Sequence, residues 1–317
     1  MIAEQYINQG HPQKLVLEVL GIPRSTYADR IKHKIGNGNR GRKPSSHTKT
    51  RCGALISNEI VVEQIQDLLS QEFVDYGYLK VTHWLRQNKG YIINPKKVRR
   101  LMKEKGLLNT KKVYHRAKRT WVKDMIPNTK QPFDYLEFDI KYEYVQRAKR
   151  NALTLTVLDV NTRWVLGHLT AWSIRQVHIK KLFDQIFKSY SLPKSIYVRC
   201  DNGSQFVSEM IQKYFERHQV IQEFCKPATP EQNGHIEAYH SIVEKVVCQA
   251  FEFDSLEELQ QTKNRFVRFY NWERIHSGIK YLSPYKYLLS NSIDMNQSDL
   301  TDVLDCSIFE EQIASED

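Results

Sequence analysis

Ser195-Ile196-Tyr197-Val198-Arg199-Cys200-Asp201-Asn202-Gly203 reads as a short buried strand ending in a turn, with Asp201 at the strand's carboxyl end. An amphipathic run from Gln205 to His218 follows, then a second apolar run from Val220 to Cys225 and a loop from Lys226 to Gly234. Beyond the loop, Ile236, Val243, Val246, Val247 and Ala250 recur at helical spacing, which predicts a helix with one packed stripe. Glu237 sits one residue off that stripe, at the edge of the packed face, where a carboxylate can reach a cleft. Residues 202–236, which number 35, separate it from Asp201.

A third acid lies upstream. In Tyr135-Leu136-Glu137-Phe138-Asp139-Ile140-Lys141-Tyr142 the even positions are apolar and the odd ones from Glu137 to Lys141 charged, the period of a strand. Glu137 and Asp139 share a face, so periodicity alone lets either point into a site. Asp134, Glu143, Asp159, Glu231 and Glu244 are further acids near these segments, and Asp159, at a strand's end, reads as a turn former. Three converging carboxylates repel one another unless hard divalent cations supply counter-charge. The chemistry that suits such a cluster is two-metal phosphoryl transfer, in which one ion activates the attacking oxygen and the other stabilises the leaving oxygen.

Asp139, the Asp201-Asn202-Gly203-Ser204-Gln205-Phe206 turn and Asn233-Gly234-His235-Ile236-Glu237 together resemble the catalytic core of DDE transposases and retroviral integrases. Within that superfamily they resemble most the OrfB-type transposases of bacterial insertion sequences. Tyr270-Asn271, Arg274, His276 and Ser283-Pro284 resemble the C-terminal block of that group; Tyr76-Gly77-Tyr78 and Arg99-Arg100-Leu101-Met102 resemble its second helix-turn-helix module. The likeness spans about residues 60 to 290. It implies an α/β fold: a ribonuclease-H-like mixed sheet flanked by helices, preceded by small all-α helix-turn-helix domains. Its first and fourth strands would be neighbours, bringing Asp139 beside Asp201. The resemblance further implies that Asp139, Asp201 and Glu237 are catalytic and hold two Mg²⁺ ions, for which Mn²⁺ substitutes. The implied activity is that of a DNA transposase, which binds the ends of an insertion sequence, cleaves strands and transfers them. Since two DNA ends meet in one complex, the expected partners are double-stranded DNA and a second copy of the chain or more. Glu244 departs from the pattern: relatives carry Lys or Arg there, and the cation here is Lys245, rotated by about 100°. His235 and His240 bracket Glu237 and read as helpers of the chemistry, phosphate contacts or solvent-facing residues.

Charge points to the same class of partner. The chain of 317 residues carries +11, but residues 1–130 hold 26 Lys and Arg against 10 Asp and Glu, and 291–317 hold eight acids and no Lys or Arg. The front is the polyanion-binding end. No apolar run approaches a membrane span and the N-terminus lacks a signal-like stretch, so the expectation is a cytoplasmic, nucleoid-associated protein with no membrane partner. Five scattered cysteines without a Cys-x-x-Cys pair indicate neither a disulfide framework nor structural zinc.

In chain order we expect an N-terminal helix-turn-helix at 1–35, with helices at Pro12 to Leu20 and Arg24 to Lys34 that offer Arg24, Tyr27, Arg30 and Lys32 to a duplex. A basic linker, 36–56, carries Arg40, Arg42 and Lys43, which read either as a minor-groove hook or as a solvated tether. A second helix-turn-helix domain, 57–115, ends in a helix from Pro95 to Lys105 capped by Asn94, presenting Lys96, Lys97, Arg99 and Arg100. A connector (116–131), the catalytic core (132–255), a C-terminal helical block (256–290) and an acidic tail (291–317) complete the chain. Arg274 and His276 either touch DNA or lock the C-terminal helix onto the core. The rival reading is a non-catalytic DNA-binding repressor or a domesticated transposase, which the basic front half fits equally well.

Overall fold

The computed structural model describes residues 2–35, 44–109, 127, 129–226 and 230–291. Arg40, Arg42, Lys43, most of the basic connector and the acidic tail beyond 291 lie outside the described residues. The chain forms two compact units, Met1–His47 and a second that begins at Thr48.

The first unit contains α1 (Ile2–Asn8), α2 (Gln13–Val19) and α3 (Arg24–Ile35) around Ala3, Val16, Leu17 and Tyr27. Gly21, at φ 63°, stops α2: its N–H reaches Glu18 O and the Ile22 N–H reaches Leu17 O, a closing pair that needs a left-handed residue. Arg24 and Arg30 are exposed, and only the backbone of Lys32 is described. Tyr27 is not available to a duplex as expected, because it is 3% exposed and fills the centre of this small core.

The chain continues with β1 (His47–Thr50), all but its first residue in the second unit, and β2 (Leu55–Ser57), so part of the stretch read as linker is strand. Then come α4 (Asn58–Leu69), α5 (Tyr78–Asn88), β3 (Tyr91–Ile92) and α6 (Pro95–Glu104), with the strands in the order β2-β1-β3. Asn94 caps α6 by accepting from Lys96 N at 2.9 Å, and Val98, Leu101 and Met102 face the core. Lys96 and Arg99 are exposed; Lys97 and Arg100 are half-buried, the latter paired with Glu104 at 3.1 Å.

The larger sheet contains β4 (Tyr135–Val145), β5 (Arg150–Asp159) and β6 (Val165–Ala171); after α7 (Gln176–Ser189) come β7 (Ile196–Cys200), α8 (Ser204–Val207), α9 (Glu209–Arg217) and β8 (Val220–Phe224). Strand order is β6-β5-β4-β7-β8, antiparallel among the first three and parallel from β4 to β8. This is a ribonuclease-H-like mixed sheet. The run from Gln205 to His218 is not one helix but two, because Ser208 is extended at ψ 142°. On one sheet face Leu136, Phe138, Leu155, Val157 and Val198 pack against α7 and α9, with Phe138 edge-on to Phe183, Phe206 and Phe215. The other face is covered by α10 (Gly234–Val243), a π-helical turn (Glu244–Cys248) and α11 (Leu256–Trp272); α12 (Pro284–Ser290) follows. Tyr239 is buried in this layer while Ala250, expected on the packed stripe, is exposed beyond the end of the π turn. No helix among the described residues is long and apolar enough to cross a membrane.

Candidate active site

The odd residues of β4 from Glu137 to Glu143 lie on the sheet face that α10, the π-helical turn and α11 cover, because strand side chains alternate. Each meets a partner further along that layer. The Glu137 carboxylate accepts from the N–H groups of His235 (3.0 Å) and Ile236 (2.8 Å), and lies 3.0 Å from His235 Nδ1. These are the second and third residues of α10, whose first N–H groups have no partner inside the helix. Glu137 is therefore a cap supplied by another element, fully buried, and it fixes where α10 begins over the sheet. Lys141 donates to Glu244 at 2.8 Å. Glu143 pairs with Lys263 at 3.0 Å, side chains 1% and 0% exposed, and accepts from the Thr154 hydroxyl. A charged strand face is thus neutralised one residue at a time. Glu244, where a cation was expected, answers Lys141 on β4.

Asp139 stands between the cap and the Lys141 pair. Its Oδ1 accepts from the Ile140 N–H at 2.8 Å, and Oδ2 is 3.5 Å from His240 Nδ1. The parallel register of β4 and β7 pairs Leu136 with Val198 and Glu137 with Arg199; continued by two residues, it sets Asp139 across from Asp201. Adjacent strands are about 4.8 Å apart. Asp201 Oδ1 accepts from Gly203 N at 2.9 Å, and Asn202 donates to Cys225 O at 2.7 Å, tying the turn to the end of β8. Gly203 leaves room there: a Cβ would come within 3.0 Å of Asp201 Oδ1 and would displace the Gln205 amide, whose Nε2 would be 2.8 Å away. Arg199 bonds Gln232 O at 2.8 Å and Glu223 at 3.0 Å. That bond holds the chain just ahead of α10, and so the approach of Glu237.

Electrostatics join the three acids. Burial, opposed by the Ile140 N–H and reinforced by the charges of Asp201, Glu237 and Glu137, pushes the Asp139 carboxyl up to about 7. His240 goes the other way: burial, with Lys263 and Lys141 nearby, pulls it down to about 3. Its Nε2 is buried with no hydrogen-bond partner among the described residues. Asp139, Asp201 and Glu237 offer only carboxylate oxygens, the donors a hard divalent cation takes, and repulsion among them is what such a cation would relieve. The donor set therefore fits Mg²⁺ or Mn²⁺. As they stand, no three Asp, Glu, His or Cys side chains among the described residues are gathered tightly enough to hold a metal ion, so the arrangement is open.

Neither histidine beside Glu237 faces solvent freely; one meets Glu137 and the other Asp139. Lys245 pairs with Asp75 at 3.2 Å. Arg274, 2% exposed, lies 2.7 Å from Asp75 Oδ1, and Ile275 N donates to the Tyr76 hydroxyl, so this segment locks the C-terminal block to the helices of 57–109. The capping role of Glu137 was hidden from the sequence because it and Asp139 share a strand face; only the docking of α10 separates them. Arg199 likewise sits in an apolar run with no local sign of its two partners.

Two profiles described as "Integrase core domain" match residues 129–230 and 218–284, and one described as "HTH-like domain" matches 57–118. The chain is 23% identical over 289 residues to the putative transposase InsK for insertion sequence element IS150 of Escherichia coli, covering 89% of this chain and 95% of that protein. It is 23% identical over 248 residues to the transposase for insertion sequence element IS904 of Lactococcus lactis, covering 75% and 96%. Among solved structures, the HTLV-2 integrase catalytic core domain in complex with magnesium aligns at a TM-score of 0.39 and 14% identity, over 50% of this chain and 97% of that one. The chain thus matches integrase-core and HTH-like domain models and is similar to insertion-sequence transposases, a make-up that indicates an enzyme of the polynucleotidyl-transferase type.

Proposed function

We propose that this protein binds the ends of an insertion sequence and catalyses Mg²⁺-dependent strand cleavage and strand transfer, with Asp139, Asp201 and Glu237 as the metal-holding carboxylates. The observation that carries the reading is the approach of these three groups at the junction of β4, β7 and α10, where burial first, and then the charges of Asp201 and Glu237, raise the Asp139 carboxyl. When bound, the two ions supply the Lewis acidity that activates an attacking oxygen and stabilises a leaving one. The chain's own residues do the positioning. Glu137 holds the start of α10, Arg199 holds the approach to it, and the Asn202 and Gly203 bonds hold the Asp201 turn. Water attacks a phosphodiester at the element end, forming one P–O bond and breaking another to release a 3′-hydroxyl. That hydroxyl then attacks a second phosphodiester in the target, exchanging one P–O bond for another. No protein–DNA covalent bond is needed.

Arg24, Arg30 and Lys32, the exposed face of α6 with Lys96, Lys97, Arg99 and Arg100, and Lys245 are the proposed duplex contacts, together with Arg40, Arg42 and Lys43. Two ends joined in one complex call for a homodimer or larger assembly, acting at the nucleoid in the cytoplasm. The test is Asp201→Asn. It should abolish Mg²⁺-dependent cleavage and strand transfer while end binding stays at the wild-type level. Cleavage at the wild-type rate by this variant overturns the assignment, and a wild-type protein that binds ends without cleaving them points to the repressor reading.

A further inference from the structure

Between α5, the first turns of α10 and residues 270–278 lies a cleft of about 680 Å³, within the roughly 300–1,000 Å³ span of ligand sites. Glu237 forms part of its wall, and Lys80, Arg163, His235, Arg274 and His276 form much of the remainder. Lys80 belongs to the HTH-like domain, Arg163 to the β5–β6 turn and Arg274 to the C-terminal block, so three parts of the chain each send a cation to one place. Neither Lys80 nor Arg163 forms an ion pair among the described residues. Arg274 is 2% exposed and spends its Nη1 on Asp75 at 2.7 Å, yet its Nε is buried without a hydrogen-bond partner, as is His276 Nε2. A buried guanidinium N–H without an acceptor is costly. Asp75 cannot serve the whole group, because Lys245 claims its other oxygen at 3.2 Å. The cleft gathers basic side chains with Glu237 at its edge, and burial, with Arg274 nearby, pulls the Lys80 amine down to about 7, so a bound anion would favour its charged form.

We propose that this cleft binds a phosphodiester of the DNA strand whose reacting bond lies at Glu237, with Lys80 and Arg163 reaching its non-bridging oxygens and Arg274 backing them. The proposal rests on the reading given above, which supplies the DNA strand; the cleft supplies the phosphate contact. Glu237 lines both places, so a strand crossing the carboxylates runs on into the recess. Because Lys80 comes from the HTH-like domain, occupancy would add a DNA-dependent link to the contacts of Asp75 and Tyr76 that already join that domain to the C-terminal block.

The test uses the full chain and fluorescein-labelled dodecathymidylate, read by fluorescence anisotropy between about 50 and 200 mM salt. Lys80→Met keeps the aliphatic stem, and Arg163→Asn suits the left-handed backbone at φ 67°. Each should weaken binding and lower the slope of log K against log salt by about 0.7, and the pair by about 1.4. Arg163→Lys should restore most of the slope, and Lys213→Met, on the exposed α9 surface, should leave it unchanged. Circular dichroism melts check folding, and since the two substitutions lie on different elements, either one decides if the other fails to fold. Slopes equal to wild type in the folded variants overturn the proposal. Asp201→Asn serves as the separate control: it should keep the wild-type slope, so loss of the catalytic reading and loss of this one are read on different axes.

Discussion

Removing the Glu137 carboxylate should unfasten α10 from the sheet. In Glu137→Ala the N–H groups of His235 and Ile236, held at 3.0 and 2.8 Å, lose an ionised acceptor, and His235 Nδ1 loses a partner at 3.0 Å. Ile236 is fully buried, so water cannot easily take the vacated place. Hydrogen bonds to a charged group are worth about 1.5–3 kcal/mol each and a charge at a helix N-terminus adds up to about 2, but these do not sum; about 3–4 kcal/mol is a fair net loss. For a unit of this size that lowers the melting temperature by roughly 6–15 °C. Glu137→Gln is the sharper probe. Its amide oxygen can still accept from both backbone N–H groups while its NH₂ donates to the other tautomer of His235, so the loss should be about 1 kcal/mol. Both variants should cut strand transfer by more than they cut end binding, because α10 carries Glu237. The assay is a pair of thermal melts with strand-transfer and binding measurements alongside. An alanine variant that melts within a degree of wild type, or a glutamine variant that melts as low as alanine, would refute the capping argument.

Further predictions concern the neighbouring charges. Lys263→Met strands the buried Glu143 and should cost about 3–5 kcal/mol in urea unfolding, much of it recovered in Lys263→Met with Glu143→Gln. Although burial opposes it, the charge and hydrogen bond of Arg274, with Lys245 and Lys80 behind, hold the Asp75 carboxyl down at about 2. A folded value below the unfolded one of about 3.9 means stability present above pH ~4 and lost as pH falls toward 2; Asp75→Asn should remove about 2 kcal/mol at pH 7 and flatten that acid limb of an unfolding-versus-pH curve. Gly203→Ala places a Cβ against Asp201 Oδ1 and Gln205 Nε2 at 3.0 and 2.8 Å. It should depress cleavage at least tenfold, about 1.4 kcal/mol of barrier, while moving the melting temperature little; unaltered cleavage would count against a positioned Asp201.

Much of the layout was legible because local rules and tertiary demands agree. The alternation in 135–142 did give β4, Asn94-Pro95 did cap α6, and the stripe from Ile236 to Ala250 gave α10 as far as Val243, with Val246 and Val247 in the π turn and Ala250 exposed beyond it. Where reading failed, long-range packing had overruled a local pattern. Tyr27 looked like a duplex contact but is needed to fill a core of few apolar side chains. The amphipathic run from Gln205 breaks at Ser208, which lets Phe206 enter the Phe138 cluster before α9 starts. Glu137 and Asp139 are indistinguishable by period, and their separation into helix cap and proposed metal-holding carboxylate depends on a helix that begins about a hundred residues later. The cleft beside Glu237 was invisible for the same reason: Lys80, Arg163 and Arg274 come from three segments that no motif links.

The central claim is that three carboxylates from β4, the β7 turn and α10 hold one pair of divalent ions. Its most direct test is an anomalous-scattering map of crystals of the full chain grown with Mn²⁺ and element-end DNA. The account predicts manganese peaks in contact with carboxylate oxygens of Asp139, Asp201 and Glu237 together, lost in Asp201→Asn crystals. Manganese bound elsewhere, or Glu237 left without contact to any ion, would contradict it.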